Sequence, residues 1–280
     1  MITDSVLATS LVVLAGVLGL IIGSFLNVVI WRLPRGESLS HPGSACPRCG
    51  HAIRWWDNIP VLSWLLLGGR CRDCANLISW RYPLVELATG MFFAGVALWT
   101  LSDGPGIGDS GVALVLALVA YFYLAAVSVA LALIDLDTQR LPNTLVLPGY
   151  VIGAVLLTAS SFFAGDFASL VSAAIGGASL FVAYLLMAVA YPGGMGFGDV
   201  KLAGVLGLFL GWLGFGPLLV GAFAAFLLGG IFSVALILVR RAGRKSGIPF
   251  GPWMLAGAWV GIFAGEAVWT GYLALVGLEV

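Results

Sequence analysis

Apolar runs of about 18 residues or more recur from one end of this chain to the other, and each is long enough to cross a bilayer core as a helix. No ordinary soluble domain combines 61% hydrophobic with only 9% charged residues. The expected fold is therefore all-α: a polytopic membrane helix bundle, in which 39 glycines suit closely packed transmembrane helices. The first run starts near Val6 with no basic segment before it and no small-residue cleavage site, so it reads as a retained helix rather than a signal peptide.

Eight spans are expected: about Val6 to Ile30, Leu84 to Leu101, Val112 to Ile134, Thr144 to Phe163, Ala168 to Ala190, Leu202 to Phe215, Pro217 to Val239 and Pro252 to Gly277. The sixth is short and separates from the seventh only at "GFGP", so seven is the alternative count. Basic residues set the orientation. All 13 fall between spans 1 and 2 (Arg32, Arg35, Arg48, Arg54, Arg70, Arg72, Arg81), 3 and 4 (Arg140), 5 and 6 (Lys201) or 7 and 8 (Arg240, Arg241, Arg244, Lys245). Eight spans thus sort every positive charge to one side, which by the positive-inside rule is the cytoplasm, and leave both termini outside. Three segments follow: a first transmembrane helix over 1–31, a cytosolic four-cysteine loop domain over 32–82, and a transmembrane core over 83–280.

The long loop holds "CPRCGH" and, after 21 intervening residues, "CRDC". Two residues between cysteines permit a tight turn that points both sulfurs at one ion, so Cys46, Cys49, Cys71 and Cys74 are the expected ligands of one structural zinc. The separation is one residue beyond the usual spacing. Disulfides are the competing reading, but they need an oxidising compartment, and the charge rule puts this loop in the cytosol. Four thiolates leave no open position, so the metal should fold the loop without doing chemistry. His51 could replace a cysteine, although an ordinary polar residue ending the knuckle is the simpler reading; His41 reads as a solvated loop residue.

Most acids lie in loops. Glu86, Asp135, Asp137, Asp199 and Glu266 lie in or beside spans, where ionisable groups are costly and mark function. Asp135, in "LALIDLDTQRLPN", and Asp199, in "MGFGDVKL", fall at the same expected boundary. Two carboxylates in a partly dry site hold one proton between them, and such a pair can activate water while protonating a carbonyl oxygen. Gly194, Gly196 and Gly198 would let an extended substrate or another helix approach the acid. The plainer alternative is that Asp199 caps a helix start and that Asp135 and Asp137 end a helix.

Six ordered stretches carry a resemblance: "GSFLNVVIWRLPRGESL", "CPRCGHAIRWWDNIPVLSWLLLGGRCRDC", "ISWRYPLVELATG", "IDLDTQRLPNTLVLP", "GMGFGDVKL" and "IPFGPWMLAG". Together they resemble the bacterial prepilin peptidases, or type IV leader peptidases, of the G-x-G-D class of membrane aspartyl proteases, over nearly the whole chain. The resemblance implies cleavage of the short basic leader of prepilins or pseudopilins on the cytosolic side. In many members, N-methylation of the new amino terminus from S-adenosylmethionine follows. It implies Asp135 and Asp199 as the catalytic acids, with Gly196, Gly198 and Lys201 supporting, and the four cysteines as a metal-binding loop. Methyl transfer is associated in the family with the glycine and basic residue before the third cysteine, here Gly69 and Arg70, where lysine is as common as arginine. The partners expected are precursor proteins and the lipid bilayer, with no nucleic acid. The competing classes are a transporter whose boundary acids relay ions, and an assembly scaffold that docks partners through its zinc loop.

Overall fold

In hydrocarbon every backbone N–H and C=O must be satisfied within the protein, which an α-helix does for each apolar run separately. A computed structural model describes residues 2–102, 104, 110–191, 193–239 and 249–277. Its long helices are α1 (Ile2–Arg32), α3 (Arg81–Ser102), α4 (Gly111–Thr138), α5 (Asn143–Ala164), α6 (Ala168–Ala190), α7 (Phe197–Leu213), α8 (Phe215–Leu238) and α9 (Gly251–Leu275), with the short α2 (Leu62–Leu66) in the first long loop. No strand occurs among the described residues.

All eight expected runs are thus helical, and the all-α membrane bundle is borne out. Seven described helices are long and apolar enough to cross a membrane. The remaining one, α7, has 17 residues, the lower end of what spans a bilayer. It starts at Phe197 rather than at Leu202, so Asp199 lies inside its first turn. Arg240, Arg241, Arg244, Lys245, Asp103, Asp109 and Glu279 lie outside the described residues.

The chain divides into two compact units. The first comprises Met1–Gly104 and Tyr121–Ala130; the second comprises Pro105–Ala120 and Leu131–Val280. In the first, α1 lies along α3, and the loop between them carries α2 and the cysteines.

In the second unit α7 packs against α5, α6, α8 and α9. Nearly every residue of α7 from Val200 onward is buried, so this helix is a core element despite its short length. Its tightest neighbour is α6: a Cβ on Gly176 would lie 2.8 Å from the Gly211 Cα, so the two backbones meet with no side chain between them. Buried hydroxyls find local partners. The Trp212 indole N–H donates to Ser161 Oγ at 2.9 Å, joining α7 to α5, and Ser160 donates to the Ala113 carbonyl at 2.8 Å. Away from water each such bond removes a polar group that would otherwise be costly to bury.

Candidate active site and metal centre

The two cysteine pairs fold as near copies of one turn. In the first, the Cys46 N–H donates to the His51 carbonyl at 3.0 Å and the Gly50 N–H to the Cys46 carbonyl at 2.9 Å; in the second, Cys71 donates to Asn76 at 2.8 Å and Ala75 to Cys71 at 2.9 Å. Each turn puts the residue after its second cysteine in the left-handed region, Gly50 at φ 72° and Ala75 at φ 56°. Glycine holds that conformation without cost, whereas alanine is strained by about 1–2 kcal/mol. Ala75 is exposed and packs nothing away. Ala75→Gly is therefore expected to stabilise the loop by up to about 1 kcal/mol and Gly50→Ala to destabilise it by a similar amount. Thermal melts and the rate of metal loss to a chelator read both.

None of the four cysteines is oxidised. Their sulfurs lie within 4.8 Å of one another, and Cys46 and Cys74 are 3.8 Å apart, the edge of about 3.8 Å that a tetrahedral ion with sulfurs at about 2.3 Å requires. The N–H groups of Cys49 and Arg48 point at the Cys46 sulfur and bring its thiol down to about 6, while burial and the neighbouring sulfurs push Cys49 up to about 12 and Cys74 upward, so the crowded thiols favour one thiolate among them. The donor set fits a closed, structural ion, and His51 contributes its carbonyl to the turn. A bidentate contact of Arg72 with Asp57, at 2.6 and 2.8 Å, ties the second knuckle to the intervening segment and holds the Asp57 carboxyl below its usual range. Arg54 and Asp73 add a second ion pair at 3.3 Å.

Gly69 is buried at φ +67°, and a Cβ there would lie 2.8 Å from the Trp64 ring. Its glycine identity thus has a packing cause. Arg70 is exposed.

In the second unit, residues far apart in sequence meet around two carboxylates. Asp135 closes α4 and is only 4% exposed. Gln139, left-handed at φ 52°, ends the helix and donates to the Asp135 carbonyl, so the chain turns sharply and α5 begins at Asn143 behind the N-cap Pro142. That turn folds Leu141 back toward Asp135. The Asp135 Oδ2 accepts the N–H of Gly251, the first residue of α9, at 3.1 Å. The first N–H groups of a helix have no partner within it and suit an anion.

Asp199 stands at the third position of α7, where its Oδ2 accepts the Gly196 N–H at 3.1 Å, one half of a capping box. The two carboxylates lie within electrostatic reach of each other. A Cβ on Gly198 would sit 3.1 Å from that of Leu141, and one on Gly251 would sit 3.2 Å from Leu141 Cδ2. Leu141 is therefore the apolar contact shared by the Asp199 turn and the α9 start. The close approach that Gly198 permits here is to Leu141. Gly196 has an ordinary φ of −77°, so no backbone strain demands glycine there.

Lys201, two positions past Asp199, is held by α5. Its Nζ donates to Asn143 Oδ1 at 3.0 Å and sits 4.8 Å over the Phe197 ring, while its carbonyl accepts from the Tyr150 hydroxyl at 2.7 Å. It locks α7 to the start of α5. Asp137, two positions from Asp135, is exposed and faces differently.

Sequence reasoning missed three participants. Gly251 supplies the donor to Asp135, Leu141 packs between the turns, and Tyr184 of α6, buried within electrostatic reach of Asp199, packs its ring tilted against Phe226 and Phe250. The stretch "IPFGPWMLAG" contains the first, but nothing in it points to a particular N–H.

Comparisons with known proteins identify the family. The family model for the bacterial Peptidase A24 N-terminal domain matches residues 17–100, and that of the type IV leader peptidase family matches residues 122–234. The "Prepilin leader peptidase/N-methyltransferase" of Pseudomonas aeruginosa is 37% identical, covering 94% of this chain and 93% of its own length. The protein of the same name from Aeromonas salmonicida is 37% identical over 92% of each, and that from Neisseria gonorrhoeae 35% identical over 95% of this chain and 94% of its own. No solved structure matches. With a cluster of four cysteines and relatives 35–37% identical aligned almost end to end, this chain belongs to the type IV leader peptidase family, alongside the prepilin leader peptidase/N-methyltransferases.

Proposed function

We propose that this protein is a membrane aspartyl endopeptidase that removes the short leader of type IV prepilins or pseudopilins on the cytosolic side of the inner membrane. It then N-methylates the new amino terminus. The observation that carries the reading is the convergence of Asp135 and Asp199 from distant helices, each with one oxygen held by a backbone N–H. The distribution of basic residues supports the sidedness.

In the proposed reaction one carboxylate is ionised and takes a proton from water as its oxygen attacks the scissile carbonyl carbon. The other, protonated, gives its proton to the carbonyl oxygen. Collapse of the tetrahedral species breaks the C–N bond, and the proton first taken from water passes to the leaving amine. The N–H groups of Gly251 and Gly196 keep the two acids oriented throughout. Gly198 and Leu141 keep the floor of the site apolar, which strengthens charge interactions there.

Cys46, Cys49, Cys71 and Cys74 would hold one structural zinc. S-adenosylmethionine would supply an electrophilic methyl group to the new amine. Gly69 and Arg70 remain the family-implied methyl-transfer pair, and the packing of Gly69 on Trp64 indicates that this glycine acts through the loop's shape.

Purified protein in detergent, given a pilin-type precursor with and without S-adenosylmethionine, is expected to release the leader in both cases and to methylate the product only with the donor. It is also expected to carry about one equivalent of zinc, reduced by Cys71→Ser. Mass spectrometry of the product and elemental analysis of the protein read these outcomes. An intact precursor after incubation with zinc-replete protein would overturn the peptidase reading and favour transport or scaffolding.

A further inference from the structure

Between the two knuckles the backbone makes a turn that few residues tolerate. The Leu62 N–H donates to the Pro60 carbonyl at 2.5 Å, and Val61 between them stands at φ 60°, ψ −50°. This is a γ-turn of the rare, strained kind, and its central residue is β-branched, the least suited to positive φ. It is held from α3: the buried Glu86 carboxylate accepts the Val61 N–H at 2.7 Å, with Ser24 of α1 as its other hydrogen-bonding neighbour. Neither the aspartate pair nor the cysteine cluster uses Glu86. Strain that surrounding groups must hold in place gathers at ligand sites.

A cavity of about 500 Å³ adjoins this turn. Pro60, whose carbonyl closes the γ-turn, and Ser24, which neighbours Glu86, both line it, so turn and cavity are one construction. Its other lining groups include Phe25, Arg32, Trp55 and Asn58. The Arg32 guanidinium is steadied by a 3.0 Å bond to the Ser38 carbonyl. The volume is that of a cofactor site, and the groups have separate uses: a guanidinium for a carboxylate, an aromatic face for a purine or a sulfonium, and a hydroxyl and an amide for a ribose.

We propose that this cavity binds the methyl donor, with Arg32 on its α-carboxylate and Trp55 against its adenine ring, and that Glu86 is a positioning residue that holds the Pro60–Leu62 turn, whose Pro60 lines the cavity. The proposal rests on the methyl-transfer reading above. It also accounts for Gly69 without donor contact. Gly69 seats the Trp64 ring, whose indole N–H donates to the Ile78 carbonyl at 3.1 Å, and Trp64 lies on α2, the helix that the strained turn begins.

The test is equilibrium binding of S-adenosylhomocysteine, the demethylated product, to the full chain in detergent, which needs no turnover. Trp55→Ala and Arg32→Gln are each expected to raise Kd about tenfold. Trp80→Ala, an exposed aromatic of the same loop outside the cavity, is expected to leave it unchanged. Glu86→Ala is expected to weaken binding and Glu86→Gln, which keeps an acceptor for the Val61 N–H, to restore it. Because Trp55 is exposed, its variant retains the fold even if the Glu86 variants do not. Parent Kd in both Trp55→Ala and Arg32→Gln would overturn the cavity assignment and leave methyl transfer standing. A parent protein that neither binds the probe nor methylates a cleaved precursor would remove the methyl-transfer reading, and the proposal with it. A phospholipid retained through Arg32 in native mass spectra, and not displaced by the probe, would make the cavity a lipid site and overturn the assignment.

Discussion

Asp135→Asn and Asp199→Asn are each expected to lower kcat/KM for leader cleavage by about a thousandfold or more, a loss of about 4 kcal/mol of transition-state stabilisation. The substitution keeps the shape of the side chain and an acceptor oxygen for the Gly251 or Gly196 N–H, so the local fold survives. What it removes is the ability to exchange a proton. Because the two acids act as one unit, the double variant is expected to be no worse than either single one. Asp137→Asn, on the exposed side of the α4 terminus, is expected to cost far less. Quantifying leader release by mass spectrometry, with insertion and zinc content as controls, separates these cases. Cleavage at near the parent rate in Asp199→Asn would reduce "GFGD" to a helix cap.

Gly251→Ala is expected to cut kcat about tenfold to a hundredfold while the protein still folds. A Cβ at this position would lie 2.8 Å from Asp135 Oδ2 and 3.2 Å from Leu141 Cδ2, so the carboxylate must move and its bond to the helix N–H is lost. Displacing a reacting group by less than the length of a bond is enough for an effect of this size. Gly230→Ala is the control, since a Cβ there meets nothing within 4 Å. Equal activity in Gly251→Ala and Gly230→Ala would mean that Asp135 needs no orienting donor, and the role given to the start of α9 would fall.

Part of the site is legible in the amino-acid sequence because its chemistry is local. The C-x-x-C knuckles are short turns whose hydrogen bonds span a few residues, so spacing alone groups the four cysteines, and their sulfurs do converge. Asp135 and Asp199 stand out because a membrane chain rarely tolerates acids beside its spans. Other residues take a different meaning once the helices are packed. The motif puts Lys201 beside the acids, yet its side chain pairs with Asn143, because helical periodicity turns a residue two places on to another face. Gly198 reads in the sequence as an opening for a substrate or a helix, and its open side is met by Leu141.

The helical state of the apolar runs and the cysteine cluster were determined by the sequence itself. Bilayer thickness sets a minimum length for each run, and the backbone's need for internal hydrogen bonds leaves it one conformation. Only the tertiary structure decided that the short α7 is a core element packed by four other helices, that the first N–H of α9 orients Asp135 across 116 positions of chain, and that buried Glu86 holds a strained turn at Val61. Each of these depends on which faces of the glycine-rich helices meet. In hydrocarbon all apolar faces are alike in solvation, so close van der Waals fit and a few buried polar bonds choose between them, and those properties belong to the packed helices together rather than to any one segment.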